Sequence, residues 1–345
     1  MNVNSFYRGC VAMERVRVGV IGCGGIAIYH LSNLIRVPEA EVVALADVNP
    51  ASRDRVLRFI PVVKNAPFFK DYMRMLDEVE MDAVEILTPH ALHHKQIIES
   101  LERGLHVLVE KPMVCNTEQA LDVVRRAEAS GKVVMVSYQR HLMGRFRLVK
   151  RLIAEGRIGR VRFIQAFLAQ NWLEFSRGTW RQDPKLSCGG QLIDSGSHIL
   201  DFVLWATGLT PEEVYAYSDN LGAPVDVNTA IALKFKEGAE GCISIIGDLP
   251  DDFIESYIFL GDRGMITLDE RGLRLIERGK PYVLEASRYP QTKSPDQGFV
   301  DTILGRSENP APPMCGLRVA QLTDAIYKAI SEGSPVKLKN LEAYV

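Results

Sequence analysis

The sequence predicts an α/β protein with an N-terminal doubly wound parallel sheet and a C-terminal α+β domain with one open, largely antiparallel sheet. Two observations predict this fold class. Apolar β-branched runs alternate with amphipathic segments over the first 140 residues, and such continuous apolar strands indicate a parallel sheet covered by helices on both faces. Beyond residue 140, strand-like runs follow one another with glycine-bearing turns between them, which is typical of antiparallel pairing.

The first half alternates strands and helices. The apolar runs predict strands at Val16–Ile21, Val42–Ala46, Ala83–Leu87, Leu105–Val109 and Val133–Val136, and the amphipathic segments predict helices at Ala91–Arg103 and Thr117–Ser130. Strand, helix and strand repeated in this way define a doubly wound domain. We expect this domain to occupy residues 15–140, after a short polar extension at residues 1–14 in which Met13 is an alternative start.

The second half, residues 141–345, has a different rhythm. Helices are predicted at Phe146–Glu155, Gln191–Ala206 and Gly316–Ser331, and strands at Arg160–Gln170, Val214–Ser218, Asn228–Phe235, Gly241–Ile246, Ile254–Leu260 and Gly264–Leu268. The last helix is expected to pack on the sheet that these strands form. We therefore interpret this half as one α+β domain with one open sheet.

Composition excludes several classes of protein. The 345 residues exceed the usual size of one hydrophobic core, and a formal net charge of −2 offers no basic surface for a nucleic acid. Apolar runs fall short of the roughly 18 residues that a membrane span needs. The six cysteines are scattered without a CxxC pair, which argues against a zinc site or a disulfide framework and favours a reducing cytoplasm.

A glycine motif follows the first predicted strand. It reads Gly22-x-Gly24-x-x-Ala27, where the first glycine permits a tight turn and the second lets the backbone approach a pyrophosphate at a helix start. Asp47 ends the second strand 23 residues after Gly24, close to the offset of about 20 residues expected for a carboxylate that binds the adenosine ribose. The set predicts a dinucleotide site.

Asp47 also bears on which dinucleotide binds. A carboxylate at this position accepts hydrogen bonds from the ribose hydroxyls and repels a 2′-phosphate, so NAD is favoured over NADP. The next residues, Val48–Pro50, supply no arginine for a 2′-phosphate. Arg53 and Arg55 lie near enough in sequence to leave NADP open.

Two further motifs fall at the carboxyl ends of strands, where open α/β sheets bind ligands. They are Thr88–His90 and Glu110–Pro112, and the proline keeps the lysine before it extended so that its side chain can project into the crevice. The three histidines nearby share no ligand spacing with a carboxylate or cysteine, so no metal site is predicted. These histidines are His90, His93 and His94.

A third cluster lies in the second half, after Gly189 and Gly190. Asp194 and His198 are four residues apart, which places them on one face if the segment is helical. A histidine exchanges a proton near neutral pH, and a neighbouring carboxylate favours its charged form. The two glycines allow the start of this helix to approach a ligand, so the pair is a candidate catalytic pair.

The ordered set of these motifs resembles the glucose–fructose oxidoreductase and inositol dehydrogenase (Gfo/Idh/MocA) family over roughly residues 15–338. The resemblance implies a Rossmann domain followed by an α/β domain whose open sheet commonly forms the interface of a homo-dimer or homo-tetramer. The matching pieces are Gly22–Ala27, Asp47, Thr88–Pro89, Glu110–Pro112, Trp180–Arg181, Gly189–Gly190, the Asp194-x-Gly196-x-His198-x-x-Asp201 segment and Asp324–Tyr327.

The resemblance also implies roles for individual residues. Lys111, Asp194 and His198 match the family's active-site lysine, carboxylate and histidine. Cys188 departs from the pattern, because it stands where the family often has the first of three glycines; Ala329 replaces a common serine. The residues predicted to bind the cofactor are Gly22, Gly24, Gly25, Ile26, Asp47, Thr88, Pro89, His90, His93, Glu110, Lys111, Gln139, Trp180 and Arg181.

The implied activity is hydride transfer between NAD and a secondary alcohol or ketone of a sugar, cyclitol or related polyol. His198 is the first candidate proton acceptor and Lys111 the second, and the two roles can be exchanged. One alternative is a reductase of a diketose, anhydro-sugar or dihydrodiol at the same site. Another is a nucleotide-binding regulatory protein without turnover, and a methyltransferase would leave Lys111 and His198 unused.

Overall fold

The first domain is a parallel sheet between helices, as seen in the computed structural model, which describes residues 15–340. The predicted extension at residues 1–14 lies outside the described residues. The strands are β1 (Val16–Ile21), β2 (Ala40–Ala46), β3 (Phe68–Phe69), β4 (Ala83–Ile86), β5 (His106–Val109) and β6 (Val134–Val136). The helices are α1 (Gly25–Leu34), α2 (Ala51–Phe59), α3 (Tyr72–Glu78), α4 (His90–Glu102) and α5 (Thr117–Ser130).

Within the described chain, these strands form a six-stranded sheet in the order β3-β2-β1-β4-β5-β6. All of its pairs are parallel, which confirms the predicted doubly wound architecture. The order reverses between β1 and β4, and open α/β sheets bind ligands at this switch point. The glycine motif after β1 and the Thr88 motif after β4 therefore lie side by side.

The second domain is built on one large sheet. Its strands are β7 (Val161–Gln170), β8 (Pro211–Asp219), β9 (Asn228–Phe235), β10 (Glu240–Ile246), β11 (Phe253–Gly261), β12 (Gly264–Asp269), β13 (Gly272–Glu277), β14 (Lys280–Leu284) and β15 (Val336–Lys337). Its helices are α6 (Gly144–Ala154), α7 (Trp172–Phe175), α8 (Pro184–Ser187), α9 (Gly196–Thr207), α10 (Pro295–Ile303) and α11 (Pro313–Glu332).

The described strands of this sheet run in the order β14-β13-β12-β11-β7-β10-β9-β8-β15. Only β7 and β10 pair in parallel, so the sheet is largely antiparallel, as predicted. Helix α9 packs on β7 and α11 on β8. Along β9, buried and exposed side chains alternate, because one face meets these helices while the other faces outward.

The helix predicted at Gln191–Ala206 is wrong at its start. Residues 191–195 form turns, and α9 begins only at Gly196. The cause is Asp226, whose carboxylate accepts hydrogen bonds from the backbone N–H groups of Gly190 and Leu192. These bonds hold the preceding segment out of the helix, so Asp194 lies in a turn before α9 and His198 lies in its first turn.

The prediction that the cysteines form no disulfide is also wrong for one pair. Cys115 and Cys188 are disulfide-bonded, with their Cα atoms 5.6 Å apart. They are 73 residues apart in sequence, and spacing alone cannot identify such a pairing. The bond joins the loop after β5 to the loop before α9. Across residues 15–340, no helix has the length and apolar content required to cross a bilayer.

Candidate active site

A cavity of about 270 Å³ lies between the two domains, at the carboxyl ends of β1, β4 and β5. The first domain contributes predicted residues on one side: Gly24, Gly25, Ile26, Thr88, His90, Glu110 and Lys111. Gln139, at the end of the first domain, also lines the cavity, and the second domain contributes Trp180, Arg181, Asp194 and His198. Sequence reasoning missed three further lining residues, Leu87, Phe175 and Ser195. Leu87 and Phe175 belong to no charged or glycine-rich motif, and Ser195 is an unspecified position inside the Asp194–Asp201 motif.

The glycine loop leaves open space at the start of α1. A Cβ added to Gly24 or Gly25 would meet no atom within 4 Å, and no side chain caps the helix. Gly22 has φ +95, and a Cβ there would lie 2.8 Å from the carbonyl carbon of Leu87. The first glycine is therefore required by the turn, whereas the next two leave the helix N-terminus free for an anionic group such as a pyrophosphate.

Asp47 is held beside this loop. Its Oδ2 accepts a hydrogen bond of 2.8 Å from the backbone N–H of Cys23, and its Oδ1 accepts one from the backbone N–H of Asn49. Arg53, by contrast, donates to the carbonyl of Lys64. The carboxylate that was predicted to select NAD therefore lies next to the predicted phosphate site, and Arg53 is engaged elsewhere.

Lys111 and Asp194 form the centre of the cavity. The Nζ of Lys111 donates to Oδ1 of Asp194 at 2.6 Å and to its carbonyl oxygen at 3.1 Å. The other carboxylate oxygen, Oδ2, accepts from Nε1 of Trp172 at 2.8 Å and from Nε of Arg181 at 3.0 Å. Sequence reasoning missed Trp172, an apolar core residue whose ring nitrogen needs a partner once it is buried.

Burial of Asp194 would raise the pKa of its carboxyl, but the positive charges beside it, Lys111 first, outweigh burial and hold this pKa well below its usual range. The side chain is 5% exposed. Asp194 is therefore a carboxylate at neutral pH. It fixes the lysine ammonium at the cavity and balances its charge.

His198 is an uncharged imidazole at the same cavity. Burial lowers its pKa well below the ordinary value, and the positive charges of Arg140 and Lys111 lower it further. Its Nδ1 is buried without a hydrogen-bond partner, while the ring lies edge-on to Tyr138. A neutral imidazole carries one lone pair that can accept a hydrogen bond. The oxygens of Asp194 are bonded to other groups, so the predicted Asp194–His198 pair shares the cavity without a bond that orients the imidazole.

His90 connects the two sides of the cavity. Its Nδ1 donates to the carbonyl oxygen of Ser187 at 2.9 Å, and its Nε2 lies 3.8 Å from Oδ1 of Asp194. Burial lowers the pKa of His90 to about 3, so the ring is neutral. This histidine lines the cavity and also ties the start of α4 to the end of α8, just before Gly189.

His93 has a different role from the one predicted. Its side chain is fully buried, and its two ring nitrogens lie 2.9 Å from the carbonyl oxygen of Pro112 and 2.8 Å from that of Thr88. Burial lowers the pKa of His93, so the ring is neutral and its single N–H donates to one of these two carbonyl oxygens of the strand-end loops. We assign His93 to holding these loops together, which corrects its prediction as a cofactor contact; Gly22 and Pro89 likewise shape the loops from outside the cavity lining.

Glu110 is supported by a buried charge network that sequence reasoning missed. His30 bonds Oε1 of Glu110 at 3.0 Å and Oδ1 of Asp296 at 2.8 Å. Burial would lower the pKa of His30, but Asp296 and Glu110 raise it well above its ordinary value, so the ring is an imidazolium. This cation keeps Glu110 ionised at the cavity. No local signal could have found the contact, because Asp296 lies 266 residues after His30.

The fold and the cavity define an α/β oxidoreductase that binds a dinucleotide between two domains. Two family models match the chain: residues 16–138 match the oxidoreductase family with an NAD-binding Rossmann fold, and residues 146–267 match the GFO/IDH/MocA C-terminal domain. The chain belongs to the Gfo/Idh/MocA family, and it is an NAD-dependent oxidoreductase. The residues at the open glycine loop fit this cofactor, since they leave room for its phosphates at the start of α1.

Known relatives match over nearly the whole chain. The inositol 2-dehydrogenase of Rubrobacter xylanophilus is 25% identical, over 95% of this chain and 95% of the relative. The D-glucoside 3-dehydrogenase of Escherichia coli is 22% identical, over 96% of this chain and all of the relative. A levoglucosan dehydrogenase solved with NADH and L-sorbose superposes with a TM-score of 0.83 at 20% identity, and 95% of this chain and all of that chain are covered.

Proposed function

We propose that this protein is an NAD-dependent dehydrogenase that interconverts a secondary alcohol and a ketone on a sugar, cyclitol or related polyol. The observation that carries the proposal is the Lys111–Asp194 pair, which lies in one cavity with His198 and with the open glycine loop. Relatives named for inositol and glucoside oxidation support this substrate class.

Bound NAD supplies the hydride acceptor, and the protein positions the alcohol and manages its proton. Lys111 binds the reacting oxygen, because its ammonium is fixed at the cavity and has one N–H donor left beyond the two that bond Asp194. It thereby stabilises the negative charge that develops on this oxygen. His198 accepts the hydroxyl proton through its free lone pair, and Asp194 holds the ammonium in place.

A reductase of a diketose, anhydro-sugar or dihydrodiol would use the same residues in the opposite direction. A regulatory protein without turnover is disfavoured, because Lys111, Asp194 and His198 are all present at one cavity. We further propose the division into domains at residue 140 and a cytoplasmic location. A homo-dimer or homo-tetramer would use the outward face of the second sheet, where Tyr217 and Leu260 are exposed.

The proposal is tested by following NADH formation at 340 nm over a panel of cyclitols, aldoses, glucosides and sugar acids. At least one cyclic polyol is expected to support turnover, and the reverse reaction is expected with the corresponding ketone. Simple alcohols of equal size without neighbouring hydroxyls serve as controls. NADH binding with no turnover of any panel member in either direction would favour the regulatory protein.

Replacing Asp47 with alanine is expected to weaken NADH binding roughly 10²–10⁴-fold and NADPH binding much less. The reason is the loss of two charge-assisted hydrogen bonds to the ribose, each contributing about 1.5–3 kcal/mol, while a repulsive charge near a 2′-phosphate is also lost. Quenching of protein fluorescence measures both affinities. Arg53→Ala is the control and should change neither. A native preference for NADPH would contradict the role given to Asp47.

A further inference from the structure

The Cys115–Cys188 disulfide lies beside the proposed catalytic pair. Cys115 is four residues after Lys111, and Cys188 is six residues before Asp194. One cysteine belongs to the first domain and the other to the second, and both are only half-buried. The bond therefore ties the two loops that bring the Lys111 ammonium to the Asp194 carboxylate.

Cys188 has an unusual backbone conformation for a residue with a side chain. Cys188 has φ +63 and ψ +10, the left-handed region, which glycine adopts readily and a side chain with a Cβ adopts at an energetic cost. The segment that follows is held by Asp226, which bonds the backbone N–H groups of Gly190 and Leu192. A cysteine therefore stands at a backbone position that favours glycine, and its sulfur bonds Cys115 from there.

The other described cysteines differ in their surroundings. Cys23 is buried and Cys315 is half-buried, and burial raises the pKa of each thiol to about 12, so neither is a reactive thiolate. Cys242 is exposed on β10, in the outward-facing sheet. Among residues 15–340, the Cys115–Cys188 pair is therefore the one that couples thiol chemistry to the cavity, while Cys242 provides a matched control.

We propose that Cys115 and Cys188 are a reversible redox modification site that controls the geometry of the active cleft. The proposal rests on the proposed function for its kinetic readout. During oxidation, the thiolate of one cysteine attacks a low-molecular-weight disulfide such as oxidised glutathione and forms a mixed disulfide. This step releases one small thiol. The second cysteine then attacks the mixed disulfide and releases the other small thiol, so the two electrons and two protons of the cysteines end on the two small thiols. Excess small thiol reverses both steps.

The oxidised form is the competent form. In it, the tether holds the Ser187 carbonyl against His90 Nδ1 and the Lys111 Nζ against Asp194. Reduction removes the tether. The left-handed conformation of Cys188 then costs energy that the disulfide no longer offsets, so the segment before Gly189 moves to a different backbone conformation. Because small displacements of catalytic groups reduce rates steeply, we expect kcat/KM to fall by about tenfold on reduction. Reversible disulfides of this kind are also compatible with a cytoplasmic protein.

The test equilibrates the full-length protein in glutathione buffers that range from fully reducing to fully oxidising. Peptide mapping without reduction measures the fraction of linked Cys115 and Cys188 peptides, and kcat/KM is measured in the same samples. Activity is expected to rise with the linked fraction. A rate that stays constant while the link forms and breaks would overturn the proposal, as would failure of the link to form in any buffer.

Three variants assign the response to this pair. Cys115→Ser is expected to show the low activity of the reduced protein in every buffer, whereas Cys188→Gly, whose backbone fits the left-handed position, is expected to be active and indifferent to the buffer. Cys242→Ser should respond as the unaltered protein does. Loss of the response in Cys242→Ser, or a response retained in Cys188→Gly, would overturn the assignment.

A second readout separates this proposal from the proposed function. Hydrogen exchange of the backbone amides in residues 187–190 is expected to accelerate on reduction, whether or not a substrate is known. If no polyol is turned over but exchange in this segment follows the linked fraction, the dehydrogenase proposal fails and the redox site stands. If a polyol is turned over but neither rate nor exchange follows the linked fraction, the redox site fails alone.

Discussion

Replacing Lys111 with methionine is expected to reduce kcat by roughly 10²–10⁴-fold, the range that a positioned proton-handling or charge-stabilising group contributes. Methionine keeps an apolar stem but removes the ammonium that bonds Asp194 at 2.6 Å. NADH affinity should stay near that of the unaltered protein, because Lys111 bonds Asp194 rather than the glycine loop or Asp47. Steady-state turnover and NADH fluorescence titration measure the two effects separately.

A matched control uses Lys185, an exposed lysine on the short helix α8 close to the same cleft. Lys185→Met should leave both kcat and NADH affinity unchanged. Undiminished turnover in Lys111→Met would remove this lysine from the mechanism and leave His198 as the principal group. Equal losses of turnover and NADH affinity would instead mean that Lys111 acts mainly in cofactor binding.

Much of the fold could be predicted because its signals are local. A continuous apolar run places β1, and an amphipathic segment places α5, at the residues where the structure has them. The alternation of strand and helix gives the parallel sheet. Turn glycines separate β9, β10 and β11 in the same way. Strands β13 and β14 escaped separate prediction, since charged and glycine residues dilute their apolar pattern.

The site could be predicted in part for the same reason. Motifs at strand ends, such as the glycine loop and the Glu110–Lys111 pair, meet because parallel strands end at one edge. Contacts between distant segments could not be predicted. The turn at Asp194 depends on Asp226, and the charge on Glu110 depends on His30. Such partners are chosen by tertiary packing, which leaves no periodic or motif signal.

Replacing Asp194 with asparagine is expected to lower both turnover and the free energy of unfolding. An asparagine at this position is neutral, so it cannot balance the positive charges of Lys111 and Arg181. Both side chains bond the Asp194 carboxylate, as does the ring nitrogen of Trp172. Removing one partner of a buried ion pair costs about 3–5 kcal/mol. Arg181 is 31% exposed, so water screens part of its charge. We therefore expect the free energy of unfolding to fall by about 3 kcal/mol. Urea unfolding at pH 7 measures it.

The pH dependence separates a charge effect from a packing effect. The folded protein holds the pKa of Asp194 well below its usual range, so the unfolded chain binds more protons as the pH falls below the ordinary value of about 3.9. The stabilisation is therefore fully present above this value and is lost as the pH falls toward the folded pKa. The difference between the unaltered protein and Asp194→Asn should stay constant from pH 7 to about pH 5 and shrink below about pH 4. Asp54→Asn, at an exposed position on α2, is the control and should show no such difference. A loss in Asp194→Asn that does not depend on pH would mean that packing of the side chain, rather than its charge, stabilises the cleft.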